Sequence, residues 1–488
     1  MPNLSNLSTP GVYIQEVSVL PPAVAGVATS IPAFIGYTEK YPDPDEGGGG
    51  PSDGMLDVTD IKPMRISNMQ EYETHFGIAQ PETLTVDVFE YQDADGKLTS
   101  REFPNIPKMS ESERSKHIMY YALQHYFANG GGSCYIVSVG AYGSDGDGTV
   151  SADTLMKGLT ALEKEDEPTL ILVPEAINAD NYGTISQGAL DHCAKMKDRF
   201  AILDVINGSA NPLNDAEDFR PNVVNNRIYG ASYYPYLRTT VNYRFNTDAG
   251  GVQVKVTQVA EDGTETEQAP QDLSAYAGSS NSLKKQLEGV LSQTEMILPP
   301  SPAIAGVYVQ TDSARGVWKA PANVGITAIT GLKVNVNDEQ HGILNKDPDA
   351  GKSINVIRNF TGRGTLVWGA RTLDSNDNEW RYVNVRRFFN FVEESVKKAS
   401  YRFVFEPNDA NTWVNVRAMV ENFLTLQWRA GALQGAKPDQ AFFVRVGLGQ
   451  TMTQDDILNG RLIVEVGMAV VRPAEFIVFR FMHKLPEA

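Results

Sequence analysis

The side chains best suited to catalysis in this sequence do not form a recognisable active-site pattern. Gly230-Ala-Ser232-Tyr-Tyr comes near the G-x-S-x-G sequence around a serine nucleophile, but Tyr234 stands where the second glycine belongs. We therefore predict no catalytic residue, with an α/β hydrolase-like enzyme using Ser232 as the alternative. None of the six histidines stands in a recognisable nucleophile context; they are His75, His117, His125, His192, His341 and His483.

Motifs for binding phosphate or metal are also incomplete. Gly351-Lys352-Ser353 matches the end of a phosphate-binding loop, but Lys346 occupies the position of the required earlier glycine. The glycines at 130–132 follow a predicted helix and precede a predicted strand, whereas a phosphate loop leads from a strand into a helix. The sequence contains neither HExxH nor CxxC. We predict no cofactor and no metal site.

Composition limits the classes of partner. The 488 residues carry a net charge of −18, which repels phosphate backbones, so we expect no direct binding to nucleic acid. No run of about 18 apolar residues predicts a membrane-spanning helix, and the start of the chain lacks the pattern of a secretory signal. Two cysteines cannot build a disulfide framework. We expect the protein to be made in the cytoplasm and to remain there unless another route releases it, without membrane insertion.

Two stretches alternate apolar strands with helices. Residues 115–239 and 300–383 show this pattern, which predicts one mainly parallel α/β core sheet in two parts. Helices on both faces of such a sheet make its strands continuously apolar. The predicted strands include TLILVPEA, FAILDVI, IYGASYYPYL, AGVYVQTD, INVIRN and TLVWGARTL.

Two segments interrupt this core. Residues 41–114 begin with the glycine-rich PDPDEGGGGPSDG and are predicted to form an inserted loop or outer region, in which 80–113 has no assigned role. Residues 240–299 are predicted to form a β-rich outer insertion, because valines alternate with polar residues from 252 to 257. Asp262-Gly263 suits a tight hairpin turn there.

The ends of the chain are apolar and extended in pattern. Residues 1–40 comprise an arm with a short strand at Val12, Tyr13 and Ile14, followed by the first core strand. Residues 384–488 form an α+β domain whose second helix Thr412 can cap, and 474–488 form a final strand. That strand either docks in the sheet of its own domain or joins the sheet of a neighbour. Its apolar core is Phe476, Ile477, Val478 and Phe479.

Several stretches resemble one family. FEPND-ANTW, GALQG, AFFVRVG and RPAEFIVF look like the C-terminal domain of contractile tail sheath proteins, the outer sleeves of contractile phage tails and related injection systems. LPPSPAIAGVYVQTDSARGVWKAPANVGI, INVIRNFTGRGTLVWGARTL, TPGVYIQEV and TSIPAFIGYTEK are similar to the rest of that family. The resemblance leaves out roughly 41–60, 80–113 and 240–297.

The resemblance implies a function and partners. It implies a structural subunit that polymerises helically around an inner tube and contracts to drive the tube through a target envelope. Partners would be further copies of the chain, the tube protein, and baseplate and sheath-terminating cap proteins. The N-terminal arm would reach a neighbouring subunit, against the alternative that it lies on its own domain. Tube-facing candidates are Arg429, Lys437, Asp455 and Asp456, with a solvated face as the alternative for each. The two aspartates also suit a helix N-terminus.

These observations predict a multidomain α/β protein with β-rich insertions, an α+β C-terminal domain and extended terminal arms. A non-sheath self-assembling tail or cap component is the alternative function besides the enzyme. The sequence does not distinguish a phage virion tail from a released or cell-bound contractile particle, nor a major from a minor sheath protein.

Overall fold

A computed structural model describes residues 24–41, 56–82, 84–104, 115–144, 149–208, 211–246, 251–276, 281–292, 294–347 and 349–480. These residues divide into two compact units. The core unit contains residues 27–393 and 471–480, and the second unit contains residues 24–26 and 394–470. Val12, Tyr13 and Ile14 lie outside the described residues.

A mixed sheet of nine strands forms the centre of the core unit within the described ranges. Its six central strands run parallel, which confirms the predicted mainly parallel sheet, and the outer three pair antiparallel with their neighbours. In order across the sheet the strands are β14 (Val324–Gly325), β17 (Gly364–Val367), β16 (Ile354–Phe360), β8 (Gly230–Tyr234), β7 (Phe200–Asp204), β6 (Leu170–Leu172), β1 (Pro32–Thr38), β5 (Cys134–Ala141) and β2 (Met64–Ile66).

Helices cover both faces of this sheet. Successive residues of β1 point into different apolar clusters, Ile35 into one and Phe34 into the other. The Ile35 face packs against α3 (Ala152–Ala161), α4 (Tyr182–Met196), α5 (Pro212–Phe219) and α8 (Asp338–Asn345). The Phe34 face packs against α1 (Met69–Phe76), α2 (Met119–Ala128) and α7 (Ser301–Arg315). Two covered faces explain why these strands are continuously apolar.

The segment AGVYVQTD is helical, so its prediction as a strand is wrong. It lies inside α7, whose residues from Ser301 to Tyr308 are all buried. A helix buried on every side is apolar on every side, and such a run cannot be told from a buried strand by periodicity.

A separate sheet joins two segments that the sequence presents as independent insertions. β3 (Thr85–Gln92) pairs in parallel with β10 (Gln253–Val259), so Val86 lies beside Val254. The remaining strands are β4 (Leu98–Glu102), β11 (Glu265–Glu267) and β12 (Gln271–Asp272), and α6 (Asn281–Leu291) packs on them through Leu283 and Leu287. Residues 85–102, 253–276 and 281–291 therefore form one module with its own apolar core.

The assignment of all of 41–114 to an outer region needs correction. β2 pairs with β5 at the edge of the central sheet, and Tyr72 and Phe76 of α1 are fully buried in the core. The pairing partner of so short a strand does not follow from its local sequence, so its place in the central sheet emerges only from the fold. A further three-stranded sheet in the core unit contains β13 (Glu295–Leu298), β9 (Leu237–Asn242) and β15 (Ile329–Leu332).

The second unit is α+β, as predicted. α9 (Val383–Ser400) crosses the predicted boundary at 384 and continues to 393 in the core unit, so the second unit begins inside this helix. Asp409, not Thr412, caps the next helix, because its carboxylate accepts a hydrogen bond from the Thr412 N–H at 3.0 Å. The other elements of this unit are α10 (Ala410–Arg429), α11 (Pro438–Ala441), α12 (Gln454–Leu458), β18 (Phe442–Arg445) and β19 (Glu465–Met468).

Candidate functional site

Ser232 does not have the geometry of a nucleophile. It lies in the middle of β8, not at a strand-to-helix turn, and it is fully buried. Its Oγ donates a hydrogen bond to the Ser353 carbonyl oxygen at 3.3 Å. Burial lowers the pKa of His125 and of His192 to about 4, so both imidazoles are neutral at pH 7. Ser232 and His125 are fully buried, and the His192 ring lies 3.0 Å from Nη1 of Arg199.

The loop before Ser353 already contains an anion. The Asp347 carboxylate accepts hydrogen bonds from the backbone N–H groups of Asp349 at 3.2 Å, Ala350 at 3.2 Å and Lys352 at 3.1 Å. The Lys352 ammonium donates to the Arg220 carbonyl oxygen at 2.6 Å. The donors that a phosphate would need are therefore used within the chain. In the described part of the chain, no group of three or more His, Cys, Asp or Glu side chains could hold a metal ion.

A second internal carboxylate lies where doubly wound sheets bind ligands. β5 and β6 flank β1, so the chain connections diverge beside β1, and crevices for ligands form at such a point. Glu175 follows β6 and is fully buried. Its carboxylate accepts from the Tyr37 N–H at 2.9 Å and from the Met119 N–H, the first of α2, at 3.2 Å. A protein side chain thus fills the anion position at this helix N-terminus.

The carboxyl-terminal segment differs from these buried polar groups, because it presents apolar side chains to solvent. Residues 471–480 form no regular strand, so docking in a sheet of the same subunit is not found for them. Phe476, Ile477, Val478 and Phe479 are 75%, 73%, 77% and 77% exposed. Four consecutive large apolar residues in water are characteristic of a surface that a partner covers.

Polar contacts hold the start of this segment to the core unit. Glu475 receives two hydrogen bonds from Arg371, from Nε at 2.8 Å and from Nη2 at 2.6 Å. The Tyr382 hydroxyl donates to the same carboxylate at 3.2 Å. Asn384 donates to the carbonyl oxygen of Val471 at 3.1 Å. Sequence reasoning missed these residues, because an ion pair between residues 104 positions apart leaves no local pattern.

In the second unit the structure brings two of the four predicted tube-facing residues together. Asp455 and Asp456 lie in the first turn of α12, and both pair with Arg461, at 3.6 Å and 3.1 Å. Asp456 also completes a capping box with Thr453, and these hydrogen bonds lower the pKa of Asp456. Arg429 ends α10 and Lys437 precedes α11, and both side chains are exposed.

The second unit also contains an open pair of strands. β18 and β19 are antiparallel, with Val444 opposite Val466, and they form a sheet of two strands within the described residues. Phe443 on β18 is 47% exposed. A two-stranded sheet is marginally stable in water and gains stability when further strands cover its edges.

None of the helices in the described ranges is both long and apolar enough to cross a membrane.

Comparisons with known proteins converge on one family. The family described as phage tail sheath C-terminal domain matches residues 375–483. The tail sheath protein of Vibrio phage KVP40 is 22% identical over 464 residues, which cover 87% of this chain. The chain spans only 64% of the length of that relative.

Solved structures match over nearly the whole chain. The sheath complex of an extracellular contractile injection system, PVC, in its contracted state is 29% identical, with a TM-score of 0.62 and 98% of both chains covered. The helical sheath of the anti-feeding prophage (AFP) in its contracted state is 30% identical, with a TM-score of 0.61. That match covers 98% of this chain and 99% of the other.

Proposed function

The chain belongs to the contractile tail sheath family, and from this premise we propose that it is a structural subunit of a contractile sheath. It polymerises helically around an inner tube and contracts to drive that tube through a target envelope. The observation that carries the proposal is the similarity to a contracted helical sheath over 98% of the chain at 30% identity.

The exposed apolar segment supplies the connection between subunits. In an extended conformation Phe476, Ile477, Val478 and Phe479 place apolar groups on both faces, which suits a strand inserted in a sheet with both faces covered. The open pair of β18 and β19 on a neighbouring subunit offers edges that such a strand would extend. Val12, Tyr13 and Ile14 would reach a neighbour from the other end of the chain.

Contacts of this kind between subunits build a helical assembly. A segment of one subunit that binds a different surface on the next makes a heterologous contact, and such contacts continue indefinitely when they do not close into a ring. The subunits would then rotate as bodies during contraction while short connecting segments absorb the change in backbone angles. Baseplate proteins would start contraction, and a cap protein would end the sleeve.

The internal carboxylates support a structural role and not an enzymatic one. Glu175 fills the position at which this type of sheet binds ligands, and Asp347 fills the loop that resembles a phosphate site. The particle would assemble in the cytoplasm, as part of a virion tail or of a released or cell-bound contractile particle.

The rival hydrolase is tested by Ser232→Ala. We expect the purified chain to hydrolyse p-nitrophenyl esters no faster than a heat-denatured sample, and the variant to behave identically. The loss of one buried hydrogen bond should lower the free energy of unfolding by about 1 kcal/mol. An esterase activity that disappears in the variant would favour the enzyme.

Electron microscopy of negatively stained samples tests the sheath itself. The chain is expressed alone and together with a candidate tube protein encoded beside it. Hollow tubes of indefinite length, with or without the tube protein, are the expected result. Short rings that never elongate in either sample would favour the non-sheath assembly instead.

A further inference from the structure

The residues that join both terminal segments to the core unit are held by polar contacts within that unit. At the carboxyl-terminal side, Arg371 holds Glu475 immediately before the exposed run that begins at Phe476. The Arg371 side chain is 6% exposed and that of Glu475 is 19% exposed, so the pair lies largely out of water. A bidentate pair of this kind fixes direction as well as distance.

Arg371 is itself held firmly to the central sheet. Its N–H donates to the Asn355 side chain at 2.8 Å, and Asn355 donates back to the Arg371 carbonyl oxygen at 2.8 Å. Asn355 lies in β16 and is fully buried. The position of Glu475 is therefore set by the sheet through one intervening residue.

At the amino-terminal side, Arg387 of α9 holds the residues that precede β1. Its guanidinium donates to the Thr29 carbonyl oxygen at 2.9 Å and to the Ser30 hydroxyl at 3.2 Å. The same group pairs with Asp312 of α7 at 2.5 Å, and the Arg387 side chain is 3% exposed. Thr29 and Ser30 mark the point at which the amino-terminal segment enters the core unit.

One turn earlier on α9, Asn384 connects the same helix to the other terminus. Its amide donates to the Trp318 carbonyl oxygen at 2.8 Å and to that of Val471 at 3.1 Å. Asn384 is 1% exposed. Buried polar side chains on the first two turns of α9 thus contact residues 29–30 and 471. We call residues 29–30 and 471–475, at which the two terminal segments join the core unit, the roots of these segments.

We propose that Arg371, Asn384 and Arg387 form a root clasp, which fixes the points at which both terminal segments leave the core unit. The clasp positions the segments for capture by neighbouring subunits. Because the roots stay fixed, any change in the orientation of a neighbouring subunit is absorbed by the backbone beyond the clasp. The inference rests on the proposed function, because a clasp of this kind matters to a protein whose termini bind other subunits.

The clasp matters because a mobile segment loses conformational entropy when it binds a neighbouring subunit. A segment whose root can swivel must lose that freedom when it pairs, and the loss weakens the contact. A fixed root keeps the segment at a high effective concentration near its acceptor. Release of Glu475 would leave the largely buried Arg371 guanidinium without its carboxylate partner, which is destabilising, so this root remains bound.

A spin label measures the clasp without any assembly. Cys134 and Cys193 are fully buried, and burial raises the pKa of both thiols, so Phe476→Cys provides a thiol that a label modifies selectively. In the monomer, Glu475→Gln should raise the mobility of this label severalfold. Asp374→Asn is the matched control, because Asp374 is 21% exposed, close to the 19% of Glu475, and pairs with Arg227 at 3.3 Å; this change should leave the label unchanged.

The same two substitutions, without the label, are then assayed for polymer formation with the tube protein. Glu475→Gln should raise the concentration needed for polymerisation about tenfold, and Asp374→Asn should not. Ser30→Ala, on the amino-terminal root, should act in the same direction as Glu475→Gln.

Two outcomes would overturn the clasp. One is a label in Glu475→Gln that is as immobile as in the parent protein. The other is a mobile label together with polymerisation at the parent concentration. If the parent chain itself never polymerises, the proposed function fails, while the label still decides whether Arg371 fixes the root.

Discussion

Buried carboxylates recur in this protein at positions where other α/β proteins bind ligands. Glu175 accepts from the first N–H of α2, and Asp204 accepts from the Ser301 N–H, the first of α7, at 2.7 Å. The Ser301 hydroxyl donates to Asp204 at 2.5 Å. Both helices pack on the same face of the central sheet. The first N–H groups of α2 and α7 are therefore already hydrogen-bonded to side chains of the same protein.

Asp204 should make stability depend on pH. Burial raises its pKa to about 7, against the opposing effect of the Ser301 hydrogen bonds. Because the folded pKa lies above that of the unfolded chain, the protonated form stabilises the fold below pH about 4, and this contribution is lost as the pH rises through about 7. Asp204→Asn should abolish this contribution, which changes the free energy of unfolding by up to about 4 kcal/mol between low and neutral pH.

Denaturant unfolding at pH 4, 5, 6 and 7 measures the effect as a difference between parent and variant. Ser301→Ala is the informative companion, because it deletes one of the hydrogen bonds that lower this pKa, so the parent's loss of stability should shift to higher pH. Parallel pH profiles for the parent and Asp204→Asn would show that Asp204 titrates normally.

Elements with a strong local pattern were predictable, and elements defined by distant pairing were not. The parallel strands around β6, β7 and β8 follow from continuous apolar runs between helices. β3 is not predictable from its own sequence, because its apolar side chains become part of a core only when β10 lies beside it. The run Phe476–Phe479 is predictable as a continuous apolar stretch, whereas the contact between Arg371 and Glu475 is not, since neither residue is unusual in its local sequence.

In the proposed sheath, the exposed carboxyl-terminal segment is the element that connects neighbouring subunits. Val478→Pro removes one backbone N–H donor while keeping the residue apolar, and a proline in the middle of a sheet loses a ladder hydrogen bond. We expect this variant to fold with an unchanged thermal midpoint, because Val478 is 77% exposed and lies in no strand of its own subunit. It should fail to polymerise in sedimentation assays.

Val478→Ile keeps the donor and serves as the control, with polymerisation expected at the parent concentration. If Val478→Pro polymerises like the control, the segment does not pair as a strand with a neighbour.

The whole molecule combines two compact units with a large negative charge. α9 runs from one unit into the other, and the chain returns to the core unit at Val471. A net charge of −18 opposes the close approach of identical subunits. Association must therefore overcome repulsion through local contacts, among which the apolar segment and its acceptor are the strongest candidates.

This charge predicts a salt dependence for assembly. The screening length falls from about 30 Å at 0.01 M salt to about 8 Å at 0.15 M, so repulsion between neighbouring subunits weakens over this range. Light scattering should show polymerisation at a lower protein concentration in 0.15 M than in 0.01 M sodium chloride. The reverse order would mean that attraction between charges, and not apolar contact, dominates the interface.

The most direct test of the central claim is a cryo-electron microscopy reconstruction of the particle formed by this chain and its tube protein. We predict a helical sleeve in which residues 476–479 of each subunit form a strand in the sheet of a neighbouring subunit, with Glu475 still bound to Arg371. A closed ring, or a sleeve in which residues 476–479 pack only on their own subunit, would contradict it.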